Sequence, residues 1–190
     1  MNPSERDLTT RVIHAGETRI GGAAVPPVHQ STVFEQTDPD AGTVVYRDPD
    51  SGEVTMIDFP YEGPRRLRAD ADGNLWIVAF QNSLLVKYDP GSKKFTAFDL
   101  PVINELPYAL NVDRDRGVVW VNGNQSDTIL GFTIATESWK VYPMPRQRFF
   151  TRDIEVSEAD GAVYTSNSHF PTWQSEGAVP TLLRITPLDQ

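Results

Sequence analysis

The 190-residue chain contains no cysteine, which excludes a disulfide, a thiolate nucleophile and a cysteine metal site. It also has no run of about 18 apolar residues, the length that a membrane-spanning helix needs, so we expect no membrane partner. The first ten residues, MNPSERDLTT, are polar and lack the apolar core of a secretory signal peptide. We therefore predict a cytoplasmic location for the chain as written.

Positive charge is scarce, because 17 lysines and arginines stand against 26 acidic residues, for a net charge of −9 at pH 7. This balance argues against a nucleic-acid partner. Basic residues nevertheless concentrate at 64–68 and 145–152, where we interpret them as partners in local salt bridges. Histidine is scarce as well, with three in the chain, which leaves few candidates for acid–base catalysis.

An aromatic residue at the centre of an apolar strand recurs at a fixed interval. Trp76, Trp120 and Tyr164 are separated by 44 residues each, and each follows a glycine turn. Four short strands in about 40–45 residues, with a turn signal between them, are the signature of a β-propeller blade. The 15 prolines, together with apolar runs rich in β-branched and aromatic residues, exclude a helical interpretation.

The repeat begins before the first of these aromatic residues. DPDSGEVTMIDFP at 48–60 aligns without gaps on DPGSKKFTAFDLP at 89–101, so a half blade precedes the complete ones. We therefore predict an all-β fold, a partial β-propeller of about three and a half four-stranded blades in residues 42–190, preceded by an extended N-terminal arm and linker in residues 1–41. An arc of this size exposes a blade face at each end, which leaves three alternatives: self-association closes the propeller, the chain is a fragment of a longer propeller, or the N-terminal segment covers an end.

One blade carries a family signature. Its marks are Gly63-Pro64, the turn and strand at 72–76, Asn82, the segment 88–90 and the closing Leu100-Pro101. With these residues the blade resembles those of the streptogramin B lyase (virginiamycin B lyase) family, and a looser likeness extends over residues 42–187. Relatives of this kind can be exported from the cell, which differs from the cytoplasmic location predicted above for this chain.

The resemblance implies a lyase that opens a cyclic depsipeptide by elimination, with magnesium as cofactor and a histidine and a glutamate on the central face. The family's histidine and glutamate do not carry over to this chain by position, so the catalytic candidates are His169, the one histidine of the propeller region, and Glu176. The Thr-Glu pair that commonly follows the aromatic strand in the family is replaced by Val78-Ala79, Asn122-Gly123 and Ser166-Asn167. This departure favours a truncated propeller that acts as a binding or non-catalytic module, with the lyase as the alternative.

An insertion in the third repeat, residues 168–180, is predicted to form part of a binding face for a small molecule or a peptide. The candidate ligand-binding residues are Phe170, Trp173 and Gln174 in this insertion, with Asn122 and Asn124 on the same rim. The alternatives are that the aromatic residues fold back over a blade edge and that the two asparagines are turn formers. The sequence contains no zinc or calcium-loop motif, so no metal site is predicted from motifs alone.

A different motif occupies the N-terminal segment, with IHAG at 13–16, VPPV at 25–28 and QSTVF at 30–34. In these features residues 10–35 resemble the N-terminal arm of the Cys/Met-metabolism pyridoxal-phosphate enzymes, such as cystathionine γ-synthase and γ-lyase. That resemblance implies a C–S lyase or transferase, a second alternative function. Pyridoxal-phosphate enzymes of this family need a Schiff-base lysine held in a large α/β domain. Residues 42–190 supply neither that domain nor a lysine in such a position, so we expect no pyridoxal phosphate.

Overall fold

In the computed structural model the described residues are 42–47, 54–147, 149–167 and 181–186. The predicted N-terminal arm and the insertion 168–180 lie outside them. The described residues form thirteen β-strands: β1 (Gly42–Arg47), β2 (Val54–Phe59), β3 (Pro64–Ala69), β4 (Leu75–Ala79), β5 (Leu84–Asp89), β6 (Lys94–Asp99), β7 (Leu110–Asp113), β8 (Val118–Gly123), β9 (Thr128–Thr133), β10 (Ser138–Pro143), β11 (Glu155–Val156), β12 (Val163–Ser166) and β13 (Leu182–Ile185).

These strands build four antiparallel sheets in chain order, a half blade of β1–β2, blade 1 of β3–β6, blade 2 of β7–β10 and blade 3 of β11–β13. Within each sheet every strand pairs with the next one along the chain, so each sheet is a meander. β5 and β6, for example, pair from Leu84 opposite Asp99 to Asp89 opposite Lys94 without a shift. The prediction of an all-β fold with about three and a half propeller blades is confirmed.

The 44-residue period is also present in the backbone. Four turn positions adopt a left-handed φ in successive blades: Gly73, Gly117 and Gly161 (83°, 61° and 68°), Ser83 and Asp127 (54° and 53°), Lys93 and Glu137 (57° and 50°), and Leu106 and Phe150 (49° and 46°). Outside the glycine turns the side chains differ within each set. The period therefore belongs to the turn geometry, which different residue types adopt at some strain.

Replacing Lys93 by Gly in the β5–β6 turn is expected to raise the free energy of unfolding by about 0.5–1 kcal/mol. Glycine relieves the left-handed strain, and its greater freedom in the unfolded chain offsets part of that gain. Lys93 is exposed, so no packing is lost. Urea unfolding would measure the change. Lys94→Gly is the matched control, because Lys94 is exposed on β6 and glycine weakens a strand; equal stabilities of the two variants would contradict the prediction.

The central strands of blades 1 and 2 are apolar on both sides because each of these blades packs between two neighbouring sheets. All five residues of β4 are buried. Ile77 and Ala79 pack in a cluster with Phe59 of the half blade, whereas Trp76 and Val78 pack in a second cluster with residues of blade 2. A third cluster joins blades 2 and 3. The continuous apolar runs around each aromatic therefore reflect two-sided burial.

Candidate functional site

A bulge in blade 1 presents two adjacent arginines to solvent. β3 and β4 pair with Pro64 opposite Ala79 and Leu67 opposite Ile77. Between these two pairs β3 advances by three residues and β4 by two, so β3 contains one extra residue. In a regular strand successive side chains point to opposite faces. Here Arg65 and Arg66 are both exposed, which fits the way a bulge re-aims side chains.

These arginines belong to a cluster of six side chains from three blades, which we call the arginine–aromatic cluster: Arg65, Arg66, Phe80, Tyr108, Phe150 and Arg152. Its centre is the ring of Tyr108. The guanidinium carbons of Arg65, Arg66 and Arg152 lie 5.7, 6.0 and 5.6 Å from the centre of that ring. Three cations thus converge on one aromatic ring at cation–π distances.

Two further rings complete the cluster. Arg65 lies 4.8 Å from the centre of the Phe80 ring, and Arg152 lies 5.1 Å from that of Phe150. Phe80 and Tyr108 meet edge to face, with ring centres 6.4 Å apart and an interplanar angle of 89°. Each outer ring therefore holds one arginine, and Tyr108 connects the two sides.

The repeat explains why these residues meet. Tyr108 and Arg152 are 44 residues apart, so they occupy equivalent positions just before the first strands of blades 2 and 3. The first strands of adjacent blades, β3, β7 and β11, are neighbours in space. Side chains near the start of these strands are thus brought to one place by the blade architecture.

The expectation of local salt bridges is wrong for these arginines. Between described residues, Arg65, Arg66 and Arg152 form no ion pair, whereas Arg116 pairs with Asp113 and Arg184 with Asp160 elsewhere. The Nε of Arg152 is buried and has no hydrogen-bond acceptor in the described part of the chain. The physical reason is that the bulge and the blade register direct these side chains to aromatic rings instead of carboxylates.

Asn122 lies beneath the cluster and fixes two of its segments. It is fully buried on β8, and its Oδ1 accepts hydrogen bonds from the backbone N–H groups of Tyr108 and Ala109. Its Nδ2 donates to the backbone carbonyl and Oγ1 of Thr151. The side chain predicted for a ligand-binding rim is therefore placed inside the protein, where it positions Tyr108 and the residues next to Arg152.

The other predicted site residues are placed as follows. Asn124 is 6% exposed, and its Oδ1 has no hydrogen-bond partner among the described residues. His169, Phe170, Trp173, Gln174 and Glu176 lie outside the described residues. The ends of their insertion are described, since Asn167 bridges to Thr151 and its Oδ1 accepts a 2.7 Å hydrogen bond from the Thr181 N–H. Asn167, the residue before the insertion, therefore pairs with Thr151, the chain neighbour of Arg152.

A buried carboxyl group occupies the segment that leads to Tyr108. Glu105 is fully buried, and Ser126 and Thr128 donate hydrogen bonds to its Oε1, whereas its Oε2 has no partner among the described residues. Burial raises the pKa of the Glu105 carboxyl; the two hydroxyl groups oppose this only in part, and the charge of Asp127 adds to it. A raised carboxyl pKa is a feature that sequence reasoning did not identify.

Neither a metal-binding group nor a membrane-spanning helix occurs among the described residues. Within the described ranges, no three His, Cys, Asp or Glu side chains come together as a metal-binding group. Nor do these residues form a helix of the length and apolarity needed to cross a bilayer.

Similar solved structures are β-propeller proteins. A streptogramin B lyase superposes with a TM-score of 0.59 at 16% identity, over 80% of this chain and 49% of that one. Virginiamycin B lyase from Staphylococcus aureus gives 0.58 at 14% identity, over 80% and 50% of the two chains. A protein of unknown function from Bacteroides caccae gives 0.59 at 15% identity, over 77% and 56%. No protein-family model and no curated protein sequence matches the chain.

These similarities bear on the fold alone, because every identity is below 25%. The chain spans about half the length of the lyase structures that it resembles. The resemblance of residues 10–35 to pyridoxal-phosphate enzymes concerns residues outside the described ones, and the propeller structures give it no support. The described part of the chain therefore has the fold of streptogramin-lyase-like β-propellers.

Proposed function

We propose that the protein is a ligand-binding β-propeller module whose site is the arginine–aromatic cluster. The observation that supports this is the convergence of three arginines without carboxylate partners on the ring of Tyr108. Binding residues usually lie on the loops that a rigid scaffold positions at the ends of its strands. The ligand is a small molecule or a peptide.

Binding is favoured over catalysis by the chemistry of the cluster. A guanidinium group stays protonated at every working pH, so it holds charge but does not exchange protons as an acid–base catalyst must. The rings of Phe80 and Phe150 offer faces and edges for contact and have no titratable group, and the Tyr108 hydroxyl can donate or accept a hydrogen bond to a ligand. The cluster can therefore hold and orient a ligand, and the proposed function needs no further chemistry.

A ligand screen by saturation-transfer NMR tests the proposal, using the full chain and a library of neutral, anionic and cationic fragments. We expect hits whose signals weaken strongly in Tyr108→Leu, because this ring contacts all three arginines. Tyr142→Leu is the matched control, since Tyr142 packs on the ring of Trp120 and is not part of the arginine–aromatic cluster. Hits that are equally strong in Tyr108→Leu and wild type would place the binding site elsewhere.

The lyase alternative is tested separately by incubating the protein with a streptogramin B depsipeptide and magnesium. We expect the depsipeptide to remain cyclic by chromatography and mass spectrometry. Ring opening that His169→Ala abolishes would overturn the non-catalytic function and assign His169 as the base.

A further inference from the structure

We propose that the arginine–aromatic cluster binds an oxyanion, a carboxylate or phosphate group of a small ligand. This inference rests on the proposed function and adds the chemical class of the ligand. It depends on three features: the charge of the cluster, the hydrogen-bond donors that it leaves unused, and the bulge that builds it.

The charge of the cluster is unusual for this chain. Acidic residues outnumber basic ones by 26 to 17, so composition alone favours a carboxylate over a second basic residue as the neighbour of an arginine. Yet three guanidinium groups lie about 6 Å or less from one ring centre, and between described residues none of them is paired with an acid. Like charges at this spacing repel one another, and a bound anion relieves that repulsion.

The donors of the cluster are also unused. A guanidinium carries five N–H donors in a planar fork that matches the oxygens of a carboxylate or phosphate. Between described residues, no hydrogen bond is formed by the guanidinium groups of Arg65 and Arg66, and the buried Nε of Arg152 has no acceptor. In contrast, Arg68 donates to the carbonyl of Leu67 and Arg114 to that of Ala69. The arginines of the cluster thus retain donors of the kind that Arg68 and Arg114 use within the fold.

The bulge makes the site specific to blade 1. In blade 2, β7 and β8 pair in continuous register from Leu110 opposite Val121 to Asp113 opposite Val118. This pairing has no extra residue of the kind that β3 contains between Pro64 and Leu67. Without the bulge, Arg65 and Arg66 would point to opposite faces of β3. Because bulges are common beside binding sites, where they re-aim a side chain, this local irregularity supports a site rather than a chance surface patch.

The net charge and the size of the cluster indicate a small anion. Nucleic-acid sites follow the phosphate backbone with an extended basic surface, and a net charge of −9 opposes that mode of binding. Three arginines around one tyrosine instead match a single oxyanion group. Carboxylate and phosphate share this chemistry, and separate titrations distinguish them.

The experiment is a titration of the full chain with sodium phosphate, sodium benzoate and phenyl phosphate at constant ionic strength, followed by ¹H–¹⁵N NMR of the arginine Nε–H groups and of the Tyr108 and Phe150 amides. We expect saturable shifts confined to the cluster with at least one of these probes. Arg65→Gln combined with Arg66→Gln should weaken that binding by about 10-fold or more, because charge-assisted hydrogen bonds are lost. Sodium chloride should weaken it as well.

The control is Arg114→Gln, which removes one positive charge, where the double variant removes two, at the opposite end of β7 from Tyr108 and should leave the affinity unchanged. A further comparison is the double variant Arg65→Lys with Arg66→Lys, which keeps the charge but loses the planar fork and should bind more weakly than wild type. Circular dichroism would verify that the variants are folded. Substitution of these exposed side chains leaves the blade core intact.

The outcomes separate the two proposals. If neutral fragments bind at the cluster and none of the three anions does, the oxyanion inference is overturned and the proposed function stands. If anions shift signals linearly without saturation, and equally in the cluster variants and Arg114→Gln, the interaction is adventitious and the inference fails. If no fragment of any charge binds at the cluster, the proposed function fails as well.

Discussion

Replacement of Asp70 by Ala is expected to lower the free energy of unfolding by about 3 kcal/mol. Asp70 is 7% exposed, and its carboxylate accepts hydrogen bonds from the backbone N–H groups of Asp72 (3.0 Å) and Asn74 (2.9 Å) and from the indole Nε1–H of Trp76 (2.9 Å). The Asn74 side chain donates to it too. Truncation removes these bonds and leaves the indole N–H of a fully buried tryptophan without an acceptor.

The next blade provides a matched control for Asp70. Trp120 is the repeat equivalent of Trp76, but its Nε1 has no hydrogen-bond partner in the described part of the chain. The corresponding carboxylate, Asp113, accepts bonds from the backbone and side chain of Arg116. Asp113→Ala should therefore cost less, about 1 kcal/mol. Urea unfolding followed by circular dichroism compares the two, and equal losses would refute the role assigned to the indole bond.

The pH dependence of stability provides a second measurement on Asp70. Burial alone would raise the pKa of its carboxyl, but the hydrogen bonds from Asn74, Trp76 and the Asp72 backbone outweigh that effect and hold the pKa below its usual value. A carboxyl with a lowered pKa in the folded state stabilises the protein above its unfolded pKa of about 4. That stability is lost as the pH falls through the folded value. Asp70→Ala should accordingly lose less stability than wild type as the pH falls below about 4.

The sequence predicts the blades because their signals are local. The glycine turn before Trp76 and the apolar strand around it are repeated at Trp120, and together they specify a hairpin whose two faces are both buried. Gap-free alignment of 48–60 on 89–101 likewise locates the half blade. Strand pairing between neighbours in the chain then follows, since each hairpin needs only its own turn.

The site is less predictable because it depends on geometry that the sequence does not show. Nothing in PRRLR distinguishes a bulge at Arg65 and Arg66 from a regular strand, and the left-handed φ of 46° at Phe150, two residues before Arg152, involves a residue that rarely adopts it. The usable signal was the spacing of 44 residues between Tyr108 and Arg152. If the 44-residue period is applied to the residues before the first strands as well as to the aromatic residues, it predicts that Tyr108 and Arg152 lie close together.

Asn122 shows the same limit in a different way. Its place at the end of an apolar strand suggested that Asn122 lies on a rim, and the structure does place it near the end of β8. A side chain at this point either faces solvent or turns back to the loops that precede the first strands, and only the structure shows that it bonds to Tyr108, Ala109 and Thr151. Long-range hydrogen bonds of this kind leave no periodic trace in a sequence.

Gly123→Ala is expected to destabilise the protein by about 3 kcal/mol, although an alanine is well tolerated in most strands. A Cβ at this position of β8 would overlap the Oε1 of Glu105 and the Oγ1 of Thr128. Both atoms are buried and hydrogen-bonded, so the carboxyl cannot move away without losing its bonds from Ser126 and Thr128. The missing side chain of Gly123 therefore provides the space that Glu105 occupies.

A double-mutant cycle tests this steric relation. In Glu105→Ala the obstructing carboxyl is gone and the Thr128 hydroxyl can rotate, so adding Gly123→Ala should cost only about 1 kcal/mol, a coupling of roughly 2 kcal/mol between the two sites. Gly131→Ala is a comparison on the neighbouring strand, where the nearest atom to an added Cβ is Trp120 Cζ3 at 3.3 Å, and its cost should be the same in both backgrounds. Additive costs for Gly123→Ala and Glu105→Ala would show that the overlap does not determine stability.

Glu105 should also affect stability in a pH range separate from that of Asp70. Because burial raises its pKa in the folded state, the carboxyl contributes most to stability when it is protonated, below its unfolded pKa of about 4, and that contribution is lost as the pH rises through the folded value. Glu105→Gln cannot ionise and can still accept bonds from Ser126 and Thr128. Its free energy of unfolding should therefore fall less than that of wild type when urea unfolding is repeated from pH 4 upward. Parallel curves for the two proteins would mean that Glu105 ionises in the folded state as easily as in the unfolded chain, and that its burial beside Gly123 has no electrostatic cost.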